Sequence, residues 1–214
     1  MTDIVSSGIG NNVVLLAHGA GAPMDSAFMD QLAEALAGQE IKVVRFEFEY
    51  MRRRREDGKK RPPTKADTLI AEFRQKIEQY AGGAENLFIG GKSLGGRMAS
   101  LIAADQAPVS GCVCFGYPFH PPGKLDRWRT EHFERFSVPV LIQQGTRDPF
   151  GRQDEVHRHF GGEPPVAINW LEDGEHDFKP RKVSGLTQEG LIEQAARNAA
   201  KWMIAIAGGQ GVKR

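Results

Sequence analysis

Ser93 lies in the stretch Gly90-Gly91-Lys92-Ser93-Leu94-Gly95-Gly96, with a glycine two residues away on either side. The short apolar run Leu87–Ile89 precedes it, and a helix-period stretch, Leu94–Ala104, follows. A serine held on a sharp strand-to-helix turn needs small neighbours, because Cβ atoms at the flanking positions would clash. Such a turn lifts the hydroxyl above a sheet edge. The helix N-terminus behind it favours negative charge developing on an attacked carbonyl. The chemistry implied is nucleophilic acyl transfer. Gly91-Lys92-Ser93 also ends like a phosphate-binding loop. That loop needs a glycine five positions before Gly91, where Asn86 stands, followed by strand-like Leu87, Phe88 and Ile89, so nucleotide binding fails on spacing.

A serine nucleophile needs a base, and the base needs a group to orient it. Asp148 follows the apolar run Val138–Gln143, in Gly145-Thr146-Arg147-Asp148-Pro149. Alone it would read as a turn residue before proline. His176 follows Val166–Leu171, in the polar stretch Glu172-Asp173-Gly174-Glu175-His176-Asp177. Ser93, Asp148 and His176 thus each come just after a strand, in the chain order nucleophile, acid, base. The other histidines are weaker candidates for the base. His132, His157 and His159 fall in helix-like segments, His120 precedes Pro121-Pro122, and His18 comes before the serine. Backbone N–H groups of Leu94 and Ala20 are the candidates for holding an oxyanion. Ala20 belongs to the glycine-rich turn His18-Gly19-Ala20-Gly21-Ala22, in which His18 is expected to brace the loop. Tyr117, Phe119 and His120 follow another strand end and are candidate substrate-binding residues; Tyr117 and Phe119 could equally pack a neighbouring helix. No histidine–carboxylate cluster has metal-ligand spacing, so no metal is expected, and no organic cofactor either.

The elements that must position these groups alternate. Predicted strands are Val13–Ala17, Ile41–Phe48, Leu87–Ile89, Cys112–Phe115, Val138–Gln143 and Val166–Leu171. Predicted helices are Ser26–Ala37, Ala66–Ala81, Leu94–Ala104, Leu125–Phe136 and about Thr187–Ala207, most with an apolar face at 3.6-residue spacing. This pattern predicts a mostly parallel sheet of about six strands with helices on both faces, its strand C-terminal ends on one edge where ligands bind. One domain over residues 1–214 is expected, since there is no repeat and no interdomain linker.

Bulk composition fits an ordinary globular chain, with 40% hydrophobic and 26% charged residues. A formal net charge of +1 gives no reason to expect nucleic acid as a partner. Neither a secretory leader nor a run of the roughly 20 apolar residues that span a membrane is evident. Cys112 and Cys114, two apart on one strand face, read as buried thiols, which points to the cytoplasm. The oligomeric state is left open.

AHGAGAPMDS, VVRFEFEYM, GGKSLGGRMAS, GYPFHPPGK, LIQQGTRDPFG and WLEDGEHDFKPRK together resemble the small α/β-hydrolases related to dienelactone hydrolase. They are similar in particular to a bacterial group that also resembles the hydrolase-like domain of a chromatin acetyltransferase-complex subunit. The resemblance spans about Val13 to Lys182 and implies an α/β-hydrolase fold, a minimal cap and the same three residues, Ser93, Asp148 and His176. Dienelactone hydrolase uses a cysteine nucleophile where this chain has Ser93. The expected activity is hydrolysis of a small-molecule ester, thioester or lactone. The alternative is a non-catalytic binding or scaffold protein on the same fold.

One biased segment remains. Met51–Arg61 carries seven cations against two acids and reads as a loop leaving the sheet near the active edge. Arg52 and Arg53 are candidates for steering an anionic substrate; the competing reading is a solvated basic loop.

Overall fold

The structure, a computed structural model, describes residues 4–210. Residues 1–3 and 211–214, the two ends of the expected 1–214 unit, lie outside the described residues. Seven strands form one sheet: β1 (Ile4–Ser7), β2 (Asn12–Ala17), β3 (Lys42–Phe46), β4 (Asn86–Lys92), β5 (Gly111–Phe115), β6 (Val140–Gly145) and β7 (Ala167–Leu171). Their spatial order is β1-β3-β2-β4-β5-β6-β7, with every pairing parallel except the antiparallel edge pair β1–β3. The sheet therefore has one strand more than expected.

Helices cover both faces. On one side α1 (Ala27–Ala37) and α6 (Gln188–Ala207) bury Met29, Leu32, Leu36, Leu191 and Met203 against Val14, Leu16, Val43, Phe88 and Val113. On the other side α3 (Ala66–Ala81) and α4 (Leu94–Ala103) bury Leu69, Phe73, Ile77, Met98 and Ile102 against Leu15, Val44, Ile89, Cys112 and Ile142. Alternate residues of each central strand feed opposite cores, which is why these strands read as near-continuous apolar runs. Two short helices, α2 (Glu49–Asp57) and α5 (Gln153–Phe160), follow β3 and precede β7. Among the described residues no helix is long and apolar enough to cross a membrane.

Two expected elements are different. Leu125–Phe136 is not a helix; only Phe133–Arg135 forms a single 3-10 turn. Its apolar residues Trp128, Phe133 and Phe136 are spaced by five and three, not at a helical repeat. The backbone here is held by loop bonds instead: Arg129 N–H donates to Phe119 O (2.8 Å) and the Tyr117 hydroxyl to Arg129 O (2.7 Å). Conversely, the basic stretch expected as a loop begins as α2. Glu49 in its first turn accepts from Arg52 and Arg53, at i+3 and i+4, and Gly58 closes it with φ of 70°.

Candidate active site

β4 ends at Lys92 and α4 begins at Leu94, leaving Ser93 alone at the junction with φ of 51° and ψ of −110°. A non-glycine residue in that region costs of order 1–3 kcal/mol, so the surroundings must enforce it. They do so by close packing. A Cβ at Gly91 would sit 2.7 Å from the Gly95 carbonyl carbon, and one at Gly95 would sit 2.7 Å from the Ala17 carbonyl carbon. The two glycines let β4, α4 and the end of β2 touch through main chain. Ser93 N–H donates to Phe115 O at 3.0 Å, tying the turn to β5.

The loops after β6 and β7 bring the other two groups to this point. They are bonded to each other: Arg147 N–H donates to Gly174 O (2.9 Å) and Asp173 N–H to the Thr146 hydroxyl (2.9 Å). Buried Asp173 also accepts from Arg181 N–H and Nε, both at 2.7 Å, and these bonds hold its carboxyl below the usual range. On these loops His176 Nδ1 lies 2.8 Å from Asp148 Oδ2 and His176 Nε2 lies 2.9 Å from Ser93 Oγ. An ionised carboxylate can only accept, so the imidazole proton is on Nδ1 and the Nε2 lone pair faces the serine hydroxyl.

Asp148 is fully buried, and both of its oxygens accept hydrogen bonds. Gln144 Nε2 bonds Oδ2 at 2.9 Å and Phe150 N–H bonds Oδ1 at 2.8 Å. The Phe150 ring lies against the imidazole, with centroids 4.3 Å apart. Gln144 and Phe150 escaped the sequence reading; their nearness to Asp148, four before and two after it, was the available signal.

A second buried Ser–His contact exists, between Ser100 Oγ and His132 Nε2 at 2.9 Å. Ser100 donates its own proton to Arg97 O (2.8 Å), and burial pushes His132 down to about 4. That hydroxyl proton is committed to a carbonyl, so the pair is a core bond.

A pocket of about 520 Å³ opens over Ser93 and His176, walled by Gly19, Ala20, Ala27, Phe28, Met29 and Phe150. Among the described residues, the N–H groups of Ala20 and Leu94 donate to no protein acceptor. Both flank Ser93, one across the pocket wall and one along the chain. The Ala20 loop is fixed from behind. His18 Nδ1 donates to Gly19 O (2.7 Å), while its Nε2 accepts from Phe48 N–H (3.1 Å); burial keeps this ring's pKa below the ordinary value. The Tyr50 hydroxyl lies 3.2 Å from Ala20 O, and Glu47 accepts from Met24 N–H at 3.0 Å.

Three expectations for the substrate pocket fail. Tyr117, Phe119 and His120 are fully buried and absent from the pocket wall. Tyr117 and Phe119 pack on Phe133, and the His120 ring sits against Trp128, because the chain after β5 folds back over them. Arg52 and Arg53 do not reach the pocket either. Both bond Glu49 along the outside of α2, which holds the Glu49 carboxyl below its usual range.

Arg55 does different work in the same basic run. It pairs with Asp25 and with Glu47, whose side chain is 2% exposed, so it clamps the pocket loop to the segment that follows β3. Removing it takes the paired cation from a buried carboxylate. Arg55→Gln is expected to lower the unfolding free energy by about 1–3 kcal/mol. Arg53→Gln, which breaks a surface pair, should cost under about 1 kcal/mol. Urea melts of the two variants check this; equal losses would remove the clamp from the account.

With this geometry in view, similarity to known proteins becomes informative. The family model described as alpha/beta hydrolase domain matches residues 10–204. The chain belongs to the alpha/beta hydrolase family. Solved structures similar to this hydrolase-family chain include an alpha-beta serine hydrolase homologue from Coxiella burnetii, at 23% identity and TM-score 0.62, covering 91% of this chain and 89% of that one. A monoacylglycerol lipase from Paleococcus ferrophilus matches at 17% identity and TM-score 0.67, over 95% and 98% of the two chains. A dienelactone hydrolase from Anabaena variabilis matches at 16% identity and TM-score 0.69, over 94% and 89%. At these identities the likeness is one of fold, and it agrees with the mostly parallel sheet covered on both faces. Among the described residues, no group of three or more His, Cys, Asp or Glu side chains could hold a metal ion.

Proposed function

We propose that this alpha/beta hydrolase cleaves a small-molecule ester, thioester or lactone through an acyl-serine intermediate, with Ser93 as nucleophile, His176 as general base and Asp148 as orienting acid. The observation that carries the reading is the unbroken hydrogen-bond relay from Ser93 Oγ through His176 to Asp148, with links of 2.9 and 2.8 Å, at the floor of the pocket.

In the first half-reaction the Ser93 oxygen attacks the substrate carbonyl while Nε2 takes the hydroxyl proton. The imidazolium is stabilised by Asp148, which stays ionised within its three donors. The negative charge on the former carbonyl oxygen falls between the Ala20 and Leu94 amides and the N-terminus of α4. Nε2 then returns the proton to the departing alcohol or thiol. In the second half-reaction the same base activates water, which attacks the acyl-serine and regenerates the hydroxyl. A monoacylglycerol lipase and a dienelactone hydrolase among the similar structures support esters and lactones as the substrate class. A cytoplasmic site of action fits Cys112 and Cys114, free and buried with sulfurs 3.9 Å apart.

A fluorophosphonate probe tests the reading directly. It should phosphonylate the wild-type protein at one residue, Ser93, as mapped by peptide mass spectrometry, and short acyl nitrophenyl esters should be hydrolysed. A protein that neither labels nor turns over any such ester would favour the binding-protein alternative.

A further inference from the structure

Lys92 immediately precedes Ser93, yet the proposed reaction does not use it. Its side chain is only 7% exposed and forms part of the pocket wall, where it is the single lysine or arginine among the described residues. Nζ lies 5.3 Å from the centroid of the Phe28 ring and 3.1 Å from Asp177 Oδ1. The Asp177 side chain is 59% exposed, so the pair is lopsided: the ammonium has lost most of its water while its carboxylate has kept most of it. Burying an ammonium costs several kcal/mol unless it is well paired. A mostly hydrated carboxylate offsets that poorly, and an apolar side chain would fill the same space at no such cost. Burial pushes the Lys92 pKa down, and the Asp177, Asp148 and Glu175 carboxylates work against that shift. Around it one part of the pocket is lined by small and apolar groups, Ala20, Ala27, Phe28, Met29 and Phe150.

We infer that Lys92 is the recognition element for a carboxylate on the substrate, which pairs with Nζ in the pocket while Asp177 turns out to solvent. The inference rests on the proposed hydrolase reading for the position of the ester, and names its class: half-esters or thioesters of short dicarboxylic acids. The class is the one in which the recognised carboxylate lies on the acyl part that remains on the serine. Binding energy from a group remote from the reacting carbonyl then assists attack by fixing the acyl group's orientation. The competing role for Lys92 is a strut that holds the histidine loop through Asp177.

The test compares nitrophenyl half-esters of succinate and glutarate with the same esters capped as neutral methyl esters. The wild type should prefer the half-ester, and Lys92→Met should lower the half-ester-to-neutral ratio of kcat/KM by at least about tenfold, the range expected of one charge-assisted bond. Glutarate binding, measured by calorimetry without turnover, should be lost in Lys92→Met. It should tighten several-fold in Asp177→Asn, which frees the ammonium of its resident partner. An unchanged ratio overturns the inference. So does weaker or unchanged glutarate binding in Asp177→Asn, since a strut would show that. Ester hydrolysis and Ser93 labelling with no half-ester preference would remove this inference alone. Lys92-dependent glutarate binding without labelling or hydrolysis would keep the carboxylate site and remove the hydrolase reading.

Discussion

Ser93→Ala should lower kcat by at least ~10⁴-fold on any ester the wild type hydrolyses. The substitution removes the attacking oxygen and nothing else of size. The methyl group is smaller than the side chain it replaces, the Gly91 and Gly95 contacts with main chain persist, and the Ser93 N–H still has Phe115 O to bond. The fold and the pocket should survive, so KM should change far less than kcat. What remains is the catalysis that oriented binding and the two free amides give to attack by water, which is weak without a nucleophile. The measurement is steady-state kinetics on protein already treated with the phosphonate probe, which silences any wild-type contaminant. A Ser93→Ala protein that keeps more than about 1% of turnover would put the nucleophile elsewhere.

The ease with which this site is read from sequence has a physical cause. Ser93 directly follows one buried strand, Asp148 stands three residues past another, and His176 stands five past the half-buried edge strand β7; parallel strands of this kind announce themselves as apolar runs. The sheet then carries all three to one edge without help from distant packing. Features that depend on distant packing were not legible. β1 is four residues, three half-buried and Ser6 exposed, whose strand geometry comes from pairing with β3, nearly forty residues on. Tyr117, Phe119 and His120 follow a strand end just as Asp148 does, but the returning chain of Trp128–Phe136 covers them, and no local pattern encodes that cover. The arginines of α2 carry local information that charge counting hides. Glu49 stands three and four residues before Arg52 and Arg53, a helical pairing, while the partner of Arg55, Asp25, is thirty residues away. Lys92 lies inside the most informative motif, where its sequence context offers only the phosphate-binding-loop reading that fails on spacing. Its burial is imposed by Phe28 and Asp177, from α1 and the histidine loop.

Asp148→Asn should lower kcat by about 10³–10⁴-fold, equivalent to about 4–5.5 kcal/mol in the barrier. The reason is the number of donors around the carboxylate. His176 Nδ1 and Gln144 Nε2 both approach Oδ2, and Phe150 N–H approaches Oδ1, so both oxygens must accept. Asparagine has one accepting oxygen. If that oxygen faces Phe150, the new NH₂ group faces His176 Nδ1, which must give up its proton to accept. The imidazole proton then moves to Nε2 and points at the Ser93 hydroxyl, where no base remains. If the oxygen faces His176 instead, the NH₂ group opposes the Phe150 N–H, leaving donors unsatisfied in a fully buried place at about 1–3 kcal/mol. Gln144 cannot turn over to relieve the first arrangement. Its Oε1 is held by Tyr117 N–H at 2.7 Å, and its Nε2 also faces Tyr117 O and Gly151 O at 3.2 and 3.3 Å. The protein therefore selects between a misplaced proton and a strained carboxamide, and both slow the attack. Phosphonylation of Ser93 also needs the base, so its rate should fall along with kcat, while KM for a neutral ester stays within a few-fold. Turnover above about a tenth of wild type, or a phosphonylation rate that does not fall with kcat, would leave Asp148 a structural buried acid and not the group that orients His176.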